Sequence, residues 1–266
     1  MTPSFTPRSS IGAQHRAALQ EAWGDSRALT YDKNSAGWED LYPVLFPSDG
    51  PQGSAEFLDI AGGDGVLGAH ALELGWKAGV VVDLSDSMLK RAGARGLQTR
   101  QAAAQDIARI GLRDDYDIAF ARHLLPYIEP SEAPAVMREI SKVSDRQVYA
   151  HFVVPDDSAV RQVFESFSAI AVPGYKQVIT TGQTATWAQQ AGLEVVGHWQ
   201  GLTTPDDYTY RIPEGRAPEL AAKMSEMPSV WAQELGLDSQ NHRMSRRLWD
   251  VVAVKTPGSA VKSRVR

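Results

Sequence analysis

Residues 56–68 read Glu-Phe-Leu-Asp-Ile-Ala-Gly-Gly-Asp-Gly-Val-Leu-Gly. Phe57, Leu58 and Ile60 form a short apolar run, the pattern of a parallel strand buried on both faces. Gly62, Gly63 and Gly65 punctuate a turn, and Val66 to Leu74 carries a helical pattern. Strand, glycine turn and helix start in succession make a nucleotide-type site. Glycine lets the backbone turn sharply and approach a ligand closely, and the first turn of a helix offers unpaired N–H groups.

Outward from this stretch the pattern alternates. Strand 56–61 leads to helix 66–74, strand 78–84 to helix 86–94 with Ser85 as its cap, and a weaker strand 98–103 to an irregular stretch. Strand 116–122 leads to helix 132–143, whose Val136, Met137, Ile140 and Val143 keep helical spacing, and strand 147–154 to a helical region around 157–170. A helix at 184–191 ends at Gly192, strand 193–202 follows, and the last strand, 247–255, comes after a long interruption. Such alternation predicts an α/β fold with a doubly wound, mostly parallel sheet and a ligand at the strand C-terminal ends. Before the sheet, a helix is expected from about Ser10 to Trp23, then a stretch rich in aromatics and a Pro/Gly/Ser linker at 47–53. The interruption at 203–245 holds a helical segment, 217–235, and reads as a substrate cap.

Composition narrows the function. The 266 residues are 43% hydrophobic and 22% charged, which suits a globular chain with a sizeable core. A net charge of −5 supplies no global positive field for nucleic acid or an anionic membrane, so neither is expected as a partner. With no cysteine, disulfides, thiolate zinc sites and cysteine nucleophiles are excluded together. Neither a signal-peptide core nor a run of membrane-spanning length is visible, and a soluble, cytoplasmic protein is expected. Residues 257–266 read as a flexible, solvated tail.

The glycine turn has two readings. Gly63-Asp64-Gly65-Val66-Leu67-Gly68 fits the G-x-G-x-x-G dinucleotide fingerprint, and Asp83 lies 20 positions after Gly63, the spacing of an acid that binds a ribose. The other reading accounts for more residues. Leu58-Asp59-Ile60-Ala61-Gly62-Gly63-Asp64-Gly65 resembles motif I of the class I S-adenosylmethionine-dependent methyltransferases, with Ala61 in place of the first glycine. Val81-Val82-Asp83-Leu84-Ser85-Asp86-Ser87-Met88-Leu89 resembles that family's second motif, an acid at the strand end followed by a capped helix. Ala103-Ala104-Gln105-Asp106-Ile107 matches the adenine position, and Tyr116-Asp117-Ile118-Ala119-Phe120-Ala121-Arg122-His123 the strand that ends beside the methyl group.

The resemblance implies a Rossmann-like, doubly wound seven-stranded sheet with a reversed last strand, preceded by an N-terminal helical segment. It divides the chain into a cofactor cover at 1–50, a cofactor-binding domain at 51–256 with the 203–245 cap, and the tail. It implies S-adenosylmethionine as cofactor and S-adenosylhomocysteine as product. Asp83 would accept the ribose hydroxyls, with Leu84 and Met88 beside it; Asp106 would accept from the adenine amino group, with the Ile107 N–H on a ring nitrogen. Asp59 would reach the methionyl ammonium over the Ala61, Gly62, Gly63 and Gly65 turn, with Ala121 and Arg122 at the end of the fourth strand. Of the aromatics ahead of the sheet, Tyr31, Trp38 and Tyr42, Tyr31 is the candidate for the cofactor face, where a sulfonium favours an aromatic ring.

Methyl transfer is an in-line displacement that needs positioning, exclusion of water and, for a protonated acceptor, a base. His123 is the first candidate base, and Tyr127 and His151 follow. Tyr208, Tyr210 and Arg211 are candidates for lining an acceptor pocket. The pairs Asp156-Asp157 and Asp206-Asp207 read as caps or turns, and no metal is expected. The expected activity is methylation of a small molecule at oxygen or nitrogen, in secondary metabolism. The alternatives are a nicotinamide-dependent oxidoreductase and a non-methylating enzyme of the same fold, such as a cyclase. The sequence leaves the oligomeric state open.

Overall fold

The computed structural model describes residues 41–46, 55–171, 174–203, 206–207, 215–238, 243–244 and 246–259. The expected helix at 10–23, Tyr31, Trp38, Tyr208, Tyr210 and Arg211 lie outside them.

Seven strands form the main sheet: β1 (Glu56–Ile60), β2 (Ala78–Asp83), β3 (Gln98–Gln101), β4 (Ile118–Arg122), β5 (Arg146–Phe152), β6 (Glu194–Thr203) and β7 (Arg247–Lys255). Their order is β3-β2-β1-β4-β5-β7-β6. The first five run parallel, and β7 is antiparallel to both β5 and β6. A reversed strand inserted at this place distinguishes the sheet from the 3-2-1-4-5-6 order of dinucleotide-binding folds. The expected reversed last strand is therefore present, one position in from the edge.

Position in the sheet explains the composition of each strand. β1 lies between β2 and β4 and is buried throughout, so apolar residues fill it except at Glu56 and Asp59. β3, at the edge, is polar and largely exposed, which discourages pairing with another chain. One face of the sheet carries Leu58, Val80, Ala119, Tyr149 and Val252 under α3 (Ala133–Ile140) and α5 (Gln183–Gln190). The other carries Phe57, Val81, Phe120, Val148 and Trp249 under α1 (Val66–Glu73) and α2 (Asp86–Ala94). Ser85 caps α2 as expected, its Oγ accepting from the Met88 N–H at 3.3 Å.

The expected single helix over 217–235 is two helices, α6 (Ala217–Ser225) and α7 (Ser229–Glu234). Pro228 separates them, since proline has no N–H to donate and its ring clashes with the preceding turn. The segment also contributes two-residue strands, Asp206–Asp207, Leu237–Asp238 and Arg243–Met244, to a small antiparallel sheet that the pattern did not foretell. Leu220 and Met224 of α6 pack with Phe167 of α4 (Ser158–Ala171). Asp157 caps α4 by accepting from Ala159 N–H at 2.9 Å, the role read for that acidic pair. Among the described residues, no helix is long and apolar enough to cross a membrane.

Candidate active site

The turn after β1 is built from three different constraints. Ala61 has φ of 55°, a left-handed conformation that costs a non-glycine residue about 1 kcal/mol. The glycine expected here by motif I would adopt it freely. At Gly62 the need is space: a Cβ would sit 2.5 Å from the Asp59 carboxyl carbon. Gly65, at φ 76°, caps α1 and also lies against Leu97 and Ala92, so both conformation and space require glycine there.

Asp59 lies beneath this turn, 0% exposed, and neither of its oxygens has a hydrogen-bond partner at normal geometry. Burial pushes its carboxyl up to about 7; Arg122 opposes the shift, Asp83 and Asp64 add to it, and the Gly68 N–H gives weak help. Asp83 ends β2 partly exposed. Its Oδ2 accepts from Gly63 N–H at 3.0 Å and its Oδ1 from Ser85 N–H at 2.8 Å. Burial raises this carboxyl too, with the N–H groups of Ser85, Gly63 and Leu84 pulling the other way. A carboxylate has about four acceptor sites, so the partly exposed Asp83 keeps acceptor capacity beyond these N–H groups.

Sequence reasoning missed the role of Asp64. It is fully buried and turned toward α2, where Arg95 Nη2 binds its Oδ2 at 3.0 Å and Arg91 Nη2 lies 3.6 Å away. Arg95 Nε also donates to the Asp64 carbonyl at 3.1 Å. The signal was available: arginines at i and i+4 share a helix face. Together these contacts clamp the glycine turn to α2.

The remaining candidates fall around this turn and around the end of β4. Leu84 accepts from Gln101 Nε2 at 2.9 Å, Met88 is buried in the first turn of α2, and Ala121 is buried in β4. Asp106 and Ile107 are buried in the 3₁₀ turn Ala104–Arg109. Ile107 packs into the core, and Arg109 Nη1 lies 3.9 Å from Asp106 Oδ1. Tyr42 stacks on His70 of α1, ring centroids 3.9 Å apart, and packs against the core.

At the end of β4 Arg122 is buried and His123 follows with φ of 55°. Backbone held in that region at a strand end is a common mark of functional sites. The His123 ring meets Phe152 edge-on at 4.5 Å and Trp249 at 5.2 Å. His151, 6.5 Å from His123 between ring centroids, is fully buried, and neither of its ring nitrogens has a partner. Burial pushes His151 down to about 3, so it is neutral and a weak base at pH 7. Tyr127 packs edge-on against Tyr175 at 4.8 Å, next to the α4 and α6 side chains.

The fit to a ligand follows from charge. Asp59 and Asp83 converge on the turn, Arg122 is the cation that acts on Asp59, and Arg91 and Arg95 are turned to Asp64 instead. An acid-lined turn of this kind suits a cationic ligand with a diol and opposes a pyrophosphate.

Comparison with known proteins agrees. Residues 31–198 match a sequence family described as a methyltransferase domain. Among solved structures, the YcgJ protein of Bacillus subtilis is similar at a TM-score of 0.68 and 16% identity, over 83% of this chain and 100% of that one. Phosphoethanolamine N-methyltransferase 2 of Haemonchus contortus, solved with S-adenosyl-L-methionine, is similar at 0.62 and 16%, over 95% of this chain and 61% of that one. The [4+2]-cyclase SpnF is similar at 0.51 and 16%, over 78% and 76%. No curated protein matches the sequence.

Proposed function

The chain belongs to the methyltransferase-domain family, and from that membership we propose that it binds S-adenosylmethionine on the glycine turn and methylates an oxygen or nitrogen of a small molecule. The observation that carries this reading is Asp59, a fully buried carboxyl beneath the turn with no hydrogen bond of normal geometry. Such a group is costly to keep unless a cation completes it. The methionyl ammonium is that cation, Asp83 takes the ribose diol and Asp106 the adenine amino group. Leu84, Met88, Ile107 and Ala121 line the same site, and Tyr31 is the proposed aromatic partner of the sulfonium.

When bound, the cofactor supplies a sulfonium-activated methyl group for in-line displacement. The chain's own residues position the acceptor and exclude water. His123 is the base for an acceptor that must lose a proton, favoured over His151 because burial keeps the latter a weak base. Phe152 and Trp249 hold the His123 ring against the sheet end. The 203–245 segment serves as the acceptor cap, a role supported by the packing of α6 on α4.

The test is calorimetric titration with S-adenosylhomocysteine, beside Asp83→Ala. Losing hydrogen bonds between a carboxylate and a diol should weaken binding by about 100-fold, near 3 kcal/mol. No binding by the folded wild-type protein would overturn the reading. Accumulation of S-adenosylhomocysteine during turnover then separates methylation from a cyclase-type reaction that leaves the cofactor intact.

A further inference from the structure

A cavity of about 50 Å³ lies where the end of β5, the start of β7, α4 and Leu235 meet. Its walls are mostly apolar: Phe152, Val153 and Val154 from the end of β5, Phe164 and Phe167 from α4, and Leu235 after α7. Two polar side chains stand out in this lining. Arg247, the first residue of β7, is 7% exposed, and its guanidinium lies 3.8 Å above the centre of the Phe152 ring. Gln177 is fixed by its amide: Nε2 donates to the Leu125 and Ile128 carbonyls at 3.1 and 3.0 Å. Its Oε1 is left buried without a hydrogen bond, an acceptor among the residues that line the cavity. None of the described lining residues is acidic.

These features define a chemistry. Flat aromatic walls favour a flat apolar skeleton. A guanidinium held rigid on an aromatic ring keeps its charge at any accessible pH and presents a planar fork that matches a carboxylate. A buried amide oxygen calls for a hydroxyl or N–H donor. Phe152 joins the cavity to the candidate active site, because the same ring that carries Arg247 also packs against His123.

We propose that this cavity binds the acceptor, and that the acceptor is an aromatic acid: an aromatic skeleton bearing, on the ring or a short side chain, a carboxylate that pairs with Arg247. The identification of the occupant as the acceptor rests on the methyltransferase reading; the preference for an aromatic anion rests on the cavity alone. Arg247 sets which molecules enter by selecting anionic over neutral and cationic ones, while Gln177 orients a donor on the same ring. The cavity encloses part of the ligand, and the remainder extends toward His123.

The experiment uses the full chain saturated with S-adenosylhomocysteine and titrated with three probes of one skeleton: 3-phenylpropanoate, 3-phenylpropanamide and 3-phenylpropylamine. The carboxylate should bind about tenfold more tightly than the amide, and the amine should bind least. Arg247→Met should bring carboxylate and amide to within about threefold, Arg247→Lys should keep part of the preference, and Gln177→Leu should keep it in full. An amide that matches the carboxylate in the wild-type protein, or no saturable binding of any probe, overturns the proposal even if a variant does not fold. So does a preference that survives in folded Arg247→Met. Titration with S-adenosylhomocysteine alone is the independent control. If it fails while the probe series holds, the cofactor reading falls and the anion cavity stands; if it succeeds while the probes fail, only the cavity assignment falls.

Discussion

Asp59 illustrates how one residue can record a function in its own instability. Its carboxyl rises from near 3.8 to about 7 in the folded chain, chiefly through burial. Between those values the unfolded chain has released a proton that the folded chain retains, so stability falls as pH rises from about 4 to about 7 and levels off above that. A shift of this size corresponds to roughly 4 kcal/mol. Asp59→Asn should therefore be more stable than wild type by up to about 4 kcal/mol at pH 7.5, with the difference vanishing near pH 4. Denaturant unfolding across that range checks the trend, and a flat difference would place the strain elsewhere. Glu56 works in the opposite sense: its hydrogen bond to Lys77 lowers its carboxyl, so its contribution is lost toward acid pH. The comparison of the two proteins at each pH cancels it.

At the scale of elements, the loop between β1 and α1 is held from two sides. Val82 of β2 accepts from Ala61 N–H at 2.7 Å, and α2 grips Asp64 through Arg95. Both contacts are internal to the protein. They keep the backbone in the form that leaves Asp59 beneath Gly62. Arg95 is partly exposed and Arg91 remains nearby, so the full penalty of breaking a buried ion pair does not apply. Arg95→Ala should cost about 2 kcal/mol in stability and weaken S-adenosylhomocysteine binding through the turn. Urea unfolding and calorimetry read the two effects. Stability lost with binding intact would make the clamp purely structural.

Across the whole molecule the work divides between two ends of one sheet. The parallel strands β1, β2 and β4 surround the glycine turn, while β5, β7, α4 and Leu235 of the 203–245 segment contribute to the lining of the second cavity. Leu220 ties that segment to α4, fully buried beside Phe167 and Met224. Leu220→Ala should destabilise by about 3 kcal/mol, the range for a buried leucine that leaves a cavity. Binding of 3-phenylpropanoate should weaken and that of S-adenosylhomocysteine should not, since the glycine turn packs in a separate part of the core. Equal loss of both ligands would show the two ends to be one cooperative unit.

The sequence by itself determined the alternation of strands and helices, because an apolar run of strand length and a helical period are local properties of the chain. Phe57 to Ile60, Val80 to Val82 and the Ser85 cap were legible for that reason. So was the glycine turn after β1, whose glycines answer to the conformation of three or four consecutive residues. Pro228 was equally local, and it divides the 217–235 stretch in spite of the continuous apolar spacing there. Other features needed the folded chain. That Asp64 faces α2 rather than a ligand, that His151 is neutral and that Arg247 meets Phe152 at a cavity wall all depend on residues far apart in sequence. Burial and charge pairing are sums over neighbours in space, and no spacing along the chain contains them.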